Sequence, residues 1–141
     1  MANPDHIRQL EKGIELGFTL HDGPTEGTYT NYENLDNKIQ GIHDYFKWLK
    51  FGYGRATDNA SIQIRGGTLT REEGMKLIKE YEGKLPEKFL NEFLEYWNMS
   101  KDEFLKIAER FTNKELFKKD SDGNLLRDET GNIEKINYDN L

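Results

Sequence analysis

Apolar positions along the chain recur mostly at helical spacing, and glycines mark the breaks between the runs. Ile7, Leu10 and Ile14 predict a short helix over residues 4–16, with Gly17 just past its end. The segment FTLHDGPTEGTYTNYEN then loses the period. It is rich in Gly, Thr, Asn and Tyr, and it reads as a loop about as long as compact domains carry without a functional reason. Leu35, Ile39, Ile42, Phe46 and Leu49 step by four and three, so a strong amphipathic helix starts at residue 35. Asp36, Lys38, Asp44, Lys47 and Lys50 fall outside that stripe, and Gly52 and Gly54 end it.

Ala56, Ala60 and Ile64 suggest a helix over residues 55–65. The alternation Ser61-Ile62-Gln63-Ile64 is also compatible with a strand, and the balance favours a helix. Gly66-Gly67 breaks the chain. Thr70 with Glu73 forms a capping box ahead of Leu77, Ile78 and Tyr81. Pro86 suits a first helical turn and predicts a helix bearing Phe89, Leu90, Phe93, Leu94 and Trp97. Ser100 with Glu103 is a second capping box, followed by Phe104, Ile107, Ala108 and Phe111. The likeness of these two capped helices is shared helix grammar in preference to a repeat. From residue 118 the pattern changes to Asp122-Gly123 and Thr130-Gly131 turns around short apolar pieces. The expected fold is mostly α, a small domain of about five to six helices with a short C-terminal β-hairpin or disordered tail. Its parts are an N-terminal helix and loop over 1–34, a helical core over 35–117, and a hairpin or flexible tail over 118–141.

Composition narrows the function classes. The 141 residues suit one domain, 33% charged and 35% apolar. A net charge of -6 argues against nucleic acid and anionic membrane as partners. No apolar run approaches the ~20 residues of a membrane span, and the start MANPDHIRQLEKG carries no hydrophobic signal region, so the chain reads as cytoplasmic. With no cysteine, disulfides, thiolate zinc sites and a cysteine nucleophile are excluded in this segment. His6, His21 and His43 lie far apart and suggest no metal site.

The stretch KFGYGRATDNAS, residues 50–61, comes nearest to a phosphate-cradling loop. A dinucleotide fingerprint needs G-x-G-x-x-G between a strand and a helix, whereas here Thr57 replaces the third glycine and a helix precedes. No G-x-x-x-x-G-K-[S/T] string exists in the chain. A helix stop and hinge is therefore the favoured reading. The opposing observation is Arg55 at a helix start, set against the macrodipole beside exposed backbone amides, as an anion site would want. EGTYTN, residues 26–31, offers hydroxyl and amide groups suited to sugar hydroxyls, against a plain turn with a packed tyrosine. His43, beside Asp44, is a core-edge histidine by default and a ligand contact in the minority reading. DSDGNLLRDETG is not an EF-hand, because Gly123 falls at loop position four where six is required. The aromatic helices read as core, with any residual exposed patch serving as a subunit interface.

EGTYTN, LDNK, the His43 region, KFGYGRATDNAS and TREEG together resemble the C-terminal part of the N-acetyl sugar amidotransferases. PEKFLNEFLEYWNMSKDEFLKIAERF is similar to that family's closing helices and LFKK to the start of its tail, so the resemblance covers roughly residues 18–119. It implies a PP-loop ATP-pyrophosphatase enzyme of lipopolysaccharide or surface-polysaccharide biosynthesis. Such an enzyme uses ATP to activate an N-acetyl group on a nucleotide-linked sugar, and ammonia from a glutaminase partner then gives an acetamidino group. The serine- and glycine-rich PP-loop domain is missing from this chain, so ATP and Mg belong to the complete enzyme and the chain is not active alone. The resemblance implies Glu26, Thr28, Tyr29 and Asn31 as loop contacts to substrate. It also implies Arg55, with the amides around Gly54, as the contact for a phosphate, with Lys50 and His43 as weaker candidates. The competing expectation is an assembly module, in which helices 86–111 form a homodimer or glutaminase-docking face.

Overall fold

The computed structural model describes residues 5–136. It contains six helices: α1 (Asp5–Glu15), α2 (Gln40–Phe51), α3 (Arg55–Gly66), α4 (Arg71–Tyr81), α5 (Leu90–Tyr96) and α6 (Lys101–Phe111). The mostly helical domain expected from the pattern is the one observed. Pro4, where the first helix was expected to begin, lies outside the described residues, as do residues 137–141 of the expected tail.

Two apolar clusters hold these elements. The larger joins α2, α5 and α6 through Ile42, Tyr45, Trp48, Leu49, Leu90, Leu94, Phe104 and Ala108, and takes in Phe117 and Ile133 from beyond α6. The smaller packs Ala56, Ala60 and Ile78 between α3 and α4, with Tyr29 and Tyr81 against them. Gly74 permits that close approach, since a Cβ there would lie 2.9 Å from the Ile64 side chain. Both capping boxes form as the sequence predicts: Thr70 and Ser100 accept the amides of Glu73 and Glu103, whose carboxylates accept the cap amides in return.

Three expectations are corrected. The second helix begins at Gln40 and not at residue 35, because the Asn37 carboxamide oxygen accepts the Ile39 amide at 3.0 Å and supports a turn there. Leu35 and Ile39 are consequently exposed, and the buried face of α2 is carried by Ile42, Tyr45, Trp48 and Leu49, with Asp44 buried as well. Likewise Pro86 opens no helix. The segment after Gly83 is held by Glu26, whose Oε1 accepts the Lys88 amide at 2.7 Å, and α5 starts only at Leu90. Trp97 and Phe111, expected on inner faces, are 59% and 57% exposed.

Over its described length the C-terminal tail is built from short antiparallel bridges joined by turns. The amide of Lys118 donates to the Glu134 carbonyl, that of Glu134 to Leu126, and that of Leu126 to Lys118, at 2.8 to 2.9 Å. Three positions eight residues apart thus close a triangle of short antiparallel bridges. The corners between them are two copies of one turn. Asp120 accepts the amides of Asp122 and Asn124, and Asp128 accepts those of Thr130 and Asn132. Gly123 and Gly131 supply positive φ at matching places. Phe117 and Ile133 point into the main core, at 0% and 6% exposure.

Candidate functional site

The loop between α2 and α3 binds an anion, and the anion is the protein's own. α2 stops at Gly52 in the left-handed conformation, and α3 starts after Gly54 in an extended one. Glu82, from just past α4, places its carboxylate at this helix start. It accepts the Thr57 amide at 2.9 Å, the Thr57 hydroxyl at 3.0 Å and the Gly54 amide. Burial pushes the Glu82 carboxyl above its ordinary value, although these hydrogen bonds pull it down. The Lys135 ammonium donates to the Gly52 carbonyl on the other side of the loop and also faces Glu82. Burial depresses its pKa. Hence the amides that made KFGYGRATDNAS look like a phosphate cradle are satisfied from within. Glu82 was missed in the sequence because nothing local ties it to a helix start twenty-five residues earlier.

Arg55 is similarly engaged. Its Nε donates to Asp44 Oδ2 at 2.9 Å and a terminal nitrogen to Oδ1 at 3.2 Å, a two-pronged pair with a carboxylate only 4% exposed. Gln40 and Asn34 donate to the same carboxylate at 3.1 and 3.4 Å. The hydrogen bond to Asp44 raises the guanidinium pKa further. The remaining terminal nitrogen lies 3.9 Å from Glu33, beyond hydrogen-bond reach. Glu33 in turn accepts from Thr30 at 2.8 Å and from Asn59 at 2.5 Å. Asp58 and Lys47 pair alongside, with Lys47 also 4.8 Å above the Tyr53 ring. One polar cluster therefore joins the Gly/Thr/Tyr loop, α2 and α3.

The other sequence-nominated residues distribute around it. Thr28 has no exposed surface; its hydroxyl accepts from Asn59 at 2.9 Å and meets Thr30 at 3.2 Å, so it holds the loop to α3. The Tyr29 ring packs edge-on against Tyr81 at 6.4 Å, and its hydroxyl is buried with no hydrogen bond to the described residues. That burial pushes its pKa up to about 12. Asn31 closes the loop on His21, donating from its side chain to the His21 carbonyl at 3.1 Å. Lys50 is exposed over the Phe51 ring. His43 is the solvent-facing member of the cluster: its side chain is 73% exposed, with Nδ1 3.6 Å from Asp44 Oδ1 and 3.3 Å from the Gln40 amide. Glu26 lies apart, at the Lys88 amide.

Chemically, three carboxylates (Glu33, Asp44 and Asp58) face two cations (Arg55 and Lys47), so the cluster carries no surplus positive charge to hold a free anion. What it offers outward is an imidazole backed by a buried, fixed carboxylate, beside polar groups able to accept from hydroxyls. Among the described residues no group of three or more His, Asp or Glu side chains is placed to hold a metal ion, and no helix is long and apolar enough to cross a membrane.

Comparison with known proteins gives this surface a context. No curated protein matches the chain. A family described as "LPS biosynthesis protein WbpG-like, C-terminal domain" matches residues 26–130, a span that contains the whole polar cluster and both capped helices. The match ties the chain to lipopolysaccharide biosynthesis, as the C-terminal domain of such a protein. The chain belongs to the WbpG-like C-terminal domain family.

Proposed function

We propose that this chain is the helical C-terminal domain of an N-acetyl sugar amidotransferase acting in the cytoplasm, with the α2–α3 face turned toward the reacting sugar. In the complete enzyme, a PP-loop domain binding ATP and Mg activates the N-acetyl group of a nucleotide-linked sugar. Ammonia from a glutaminase partner then displaces the activated oxygen, which leaves with the ATP-derived group, giving the acetamidino group. The domain supplies contacts and not the ATP chemistry. Within it, His43 faces the substrate and Arg55 and Glu33 hold the surface behind it. The observation that carries this reading is the exposed His43 imidazole set 3.6 Å from a buried Asp44 carboxylate, inside the family-matched span. An exposed imidazole so placed is within reach of a substrate hydroxyl or amide and can act on it as a proton-transfer group.

The test uses the complete enzyme, its glutaminase partner, ATP and a nucleotide-linked N-acetyl sugar, with product read by mass spectrometry. His43→Ala is expected to lower turnover by about tenfold or more, within the usual range for a positioned proton-transfer group, at an unchanged melting temperature. Wild-type turnover in His43→Ala would sink the assignment.

A second reading has its own observation. Tyr96, Trp97 and Phe111 are 81%, 59% and 57% exposed, which suits a homodimer or glutaminase-docking face on α5 and α6. Sedimentation of the wild type against Trp97→Ser decides it: a dimer that the substitution dissolves favours docking, and a monomer in both removes the homodimer.

A further inference from the structure

Away from the α2–α3 cluster, the α4–α5 connection, the start of α6 and the triangular tail line a half-open pocket of about 620 Å³. That volume falls within the range of small-molecule sites. Its charges are unusual for a chain of net charge -6. Three cations line it, Lys84, Lys101 and Arg127, one from each of those segments. Lys84 and Arg127 have no ion pair among the described residues, and Lys101 reaches Glu87 only at 3.4 Å with both side chains half exposed or more. The Arg127 guanidinium is steadied by neutral acceptors, the Gly131 carbonyl at 2.9 Å and the Tyr45 hydroxyl. Against the two carboxylates that share the lining, Glu26 and Glu87, three cations leave one surplus positive charge, which a bound anion neutralises.

The rest of the lining selects the kind of anion. Leu85 and Leu105 give an apolar surface, and Glu26 joins Glu87 as a second carboxylate on the wall. Carboxylates accept hydroxyl donors and repel phosphate, while the leucines suit the C–H face of a pyranose ring. The walls are also fixed in advance. Asn132 accepts the Leu85 amide at 3.1 Å and donates to Thr130 at 2.6 Å, which locks the tail against the α4–α5 connection. We propose that this pocket binds a phosphorylated monosaccharide, its phosphate on Lys84, Lys101 and Arg127 and its hydroxyls on Glu26 and Glu87. The proposal does not depend on the amidotransferase reading, since it concerns binding by this chain alone.

The full 141-residue chain, labelled with ¹⁵N, is titrated with glucose 1-phosphate, glucose, inorganic phosphate and uridine diphosphate. Glucose 1-phosphate is expected to shift the amides of Leu85, Glu87, Gly131 and Asn132, and to bind at least about tenfold tighter than glucose or inorganic phosphate. The double substitution Lys84→Gln, Lys101→Gln should weaken that binding by about tenfold or more. Its thermal melt should stay in place, because both side chains are solvent-exposed. Absence of shifts at these amides, or unchanged affinity in the double variant, overturns the site. Equal affinity for inorganic phosphate or for uridine diphosphate overturns the saccharide assignment.

Discussion

Gly67 and Gly83 share a left-handed backbone, with φ of 75° and 81°, and differ in what a methyl group would meet. Nothing lies within 4 Å at Gly67, whereas a Cβ at Gly83 would come within 2.5 Å of the buried Trp48 ring. Gly67→Ala should therefore cost only the backbone strain, about 1 kcal/mol. Gly83→Ala should cost roughly 3 kcal/mol or more, as crowding adds to strain. Urea denaturation measures both, and equal losses would show that Trp48 yields freely. A second contrast concerns the Arg55–Asp44 pair. Removing one member strands a nearly buried charge, so Arg55→Ala should destabilise by roughly 3 kcal/mol. The double substitution Arg55→Met, Asp44→Leu should recover much of that loss, and a fully additive double variant would contradict the coupling. This is why a fall in activity on replacing Arg55 would not by itself mark a substrate contact, and why exposed His43 is the better probe.

Elements differ in how much of their structure is written locally. The capping boxes at Thr70 and Ser100 span four residues each, and both were legible in the sequence; Thr70→Ala and Ser100→Ala should each cost about 1 kcal/mol in chemical denaturation. The start of α2 was misplaced because Leu35 and Ile39 match the helical period, yet Asn37 offers the chain a competing turn. The stripe was also rotated: Tyr45 and Trp48 carry the core, and Asp44 is buried because Arg55, eleven residues on, neutralises it. Glu82 and Asn59 were invisible for the same reason, since their partners lie far along the chain. The tail repeat was partly legible as two Gly turns, but its triangular closure depends on contacts between positions eight and sixteen residues apart.

The tail corners also respond to acid. Asn124 and its neighbours hold the Asp120 carboxyl below its ordinary 3.8, and Thr130 and its neighbours do the same for Asp128. A depressed pKa means the unfolded chain binds the proton more tightly, so this stabilisation is present above pH 3.8 and is lost as pH falls below it. Hydrogen exchange at Asp122, Asn124, Thr130 and Asn132 should accelerate in that window, earlier than at the core amides of α2. Uniform loss across the domain would argue against local control by these two carboxylates.

At the scale of the whole molecule, the tail is part of the core. Ile133 fills the main cluster, and Lys135 reaches the Gly52 carbonyl eighty-three residues away. Removing residues 118–141 should cost at least about 3 kcal/mol, judged from a single buried isoleucine and the lost stitches, and should broaden or abolish the thermal transition by circular dichroism. A truncated chain that melts like the full one would return the tail to the status of an appendage. The stitch from Lys135 to Gly52 bears on manufacture as well. A chain emerging from the ribosome at about 5–20 residues per second exposes the α2–α3 loop several seconds before its clamp arrives. Through that interval Gly52 lacks its donor, and Phe117, once made, still waits for Ile133. Translation stalled before residue 133 would release a product with an open core, and quality-control proteases would see it as unfinished.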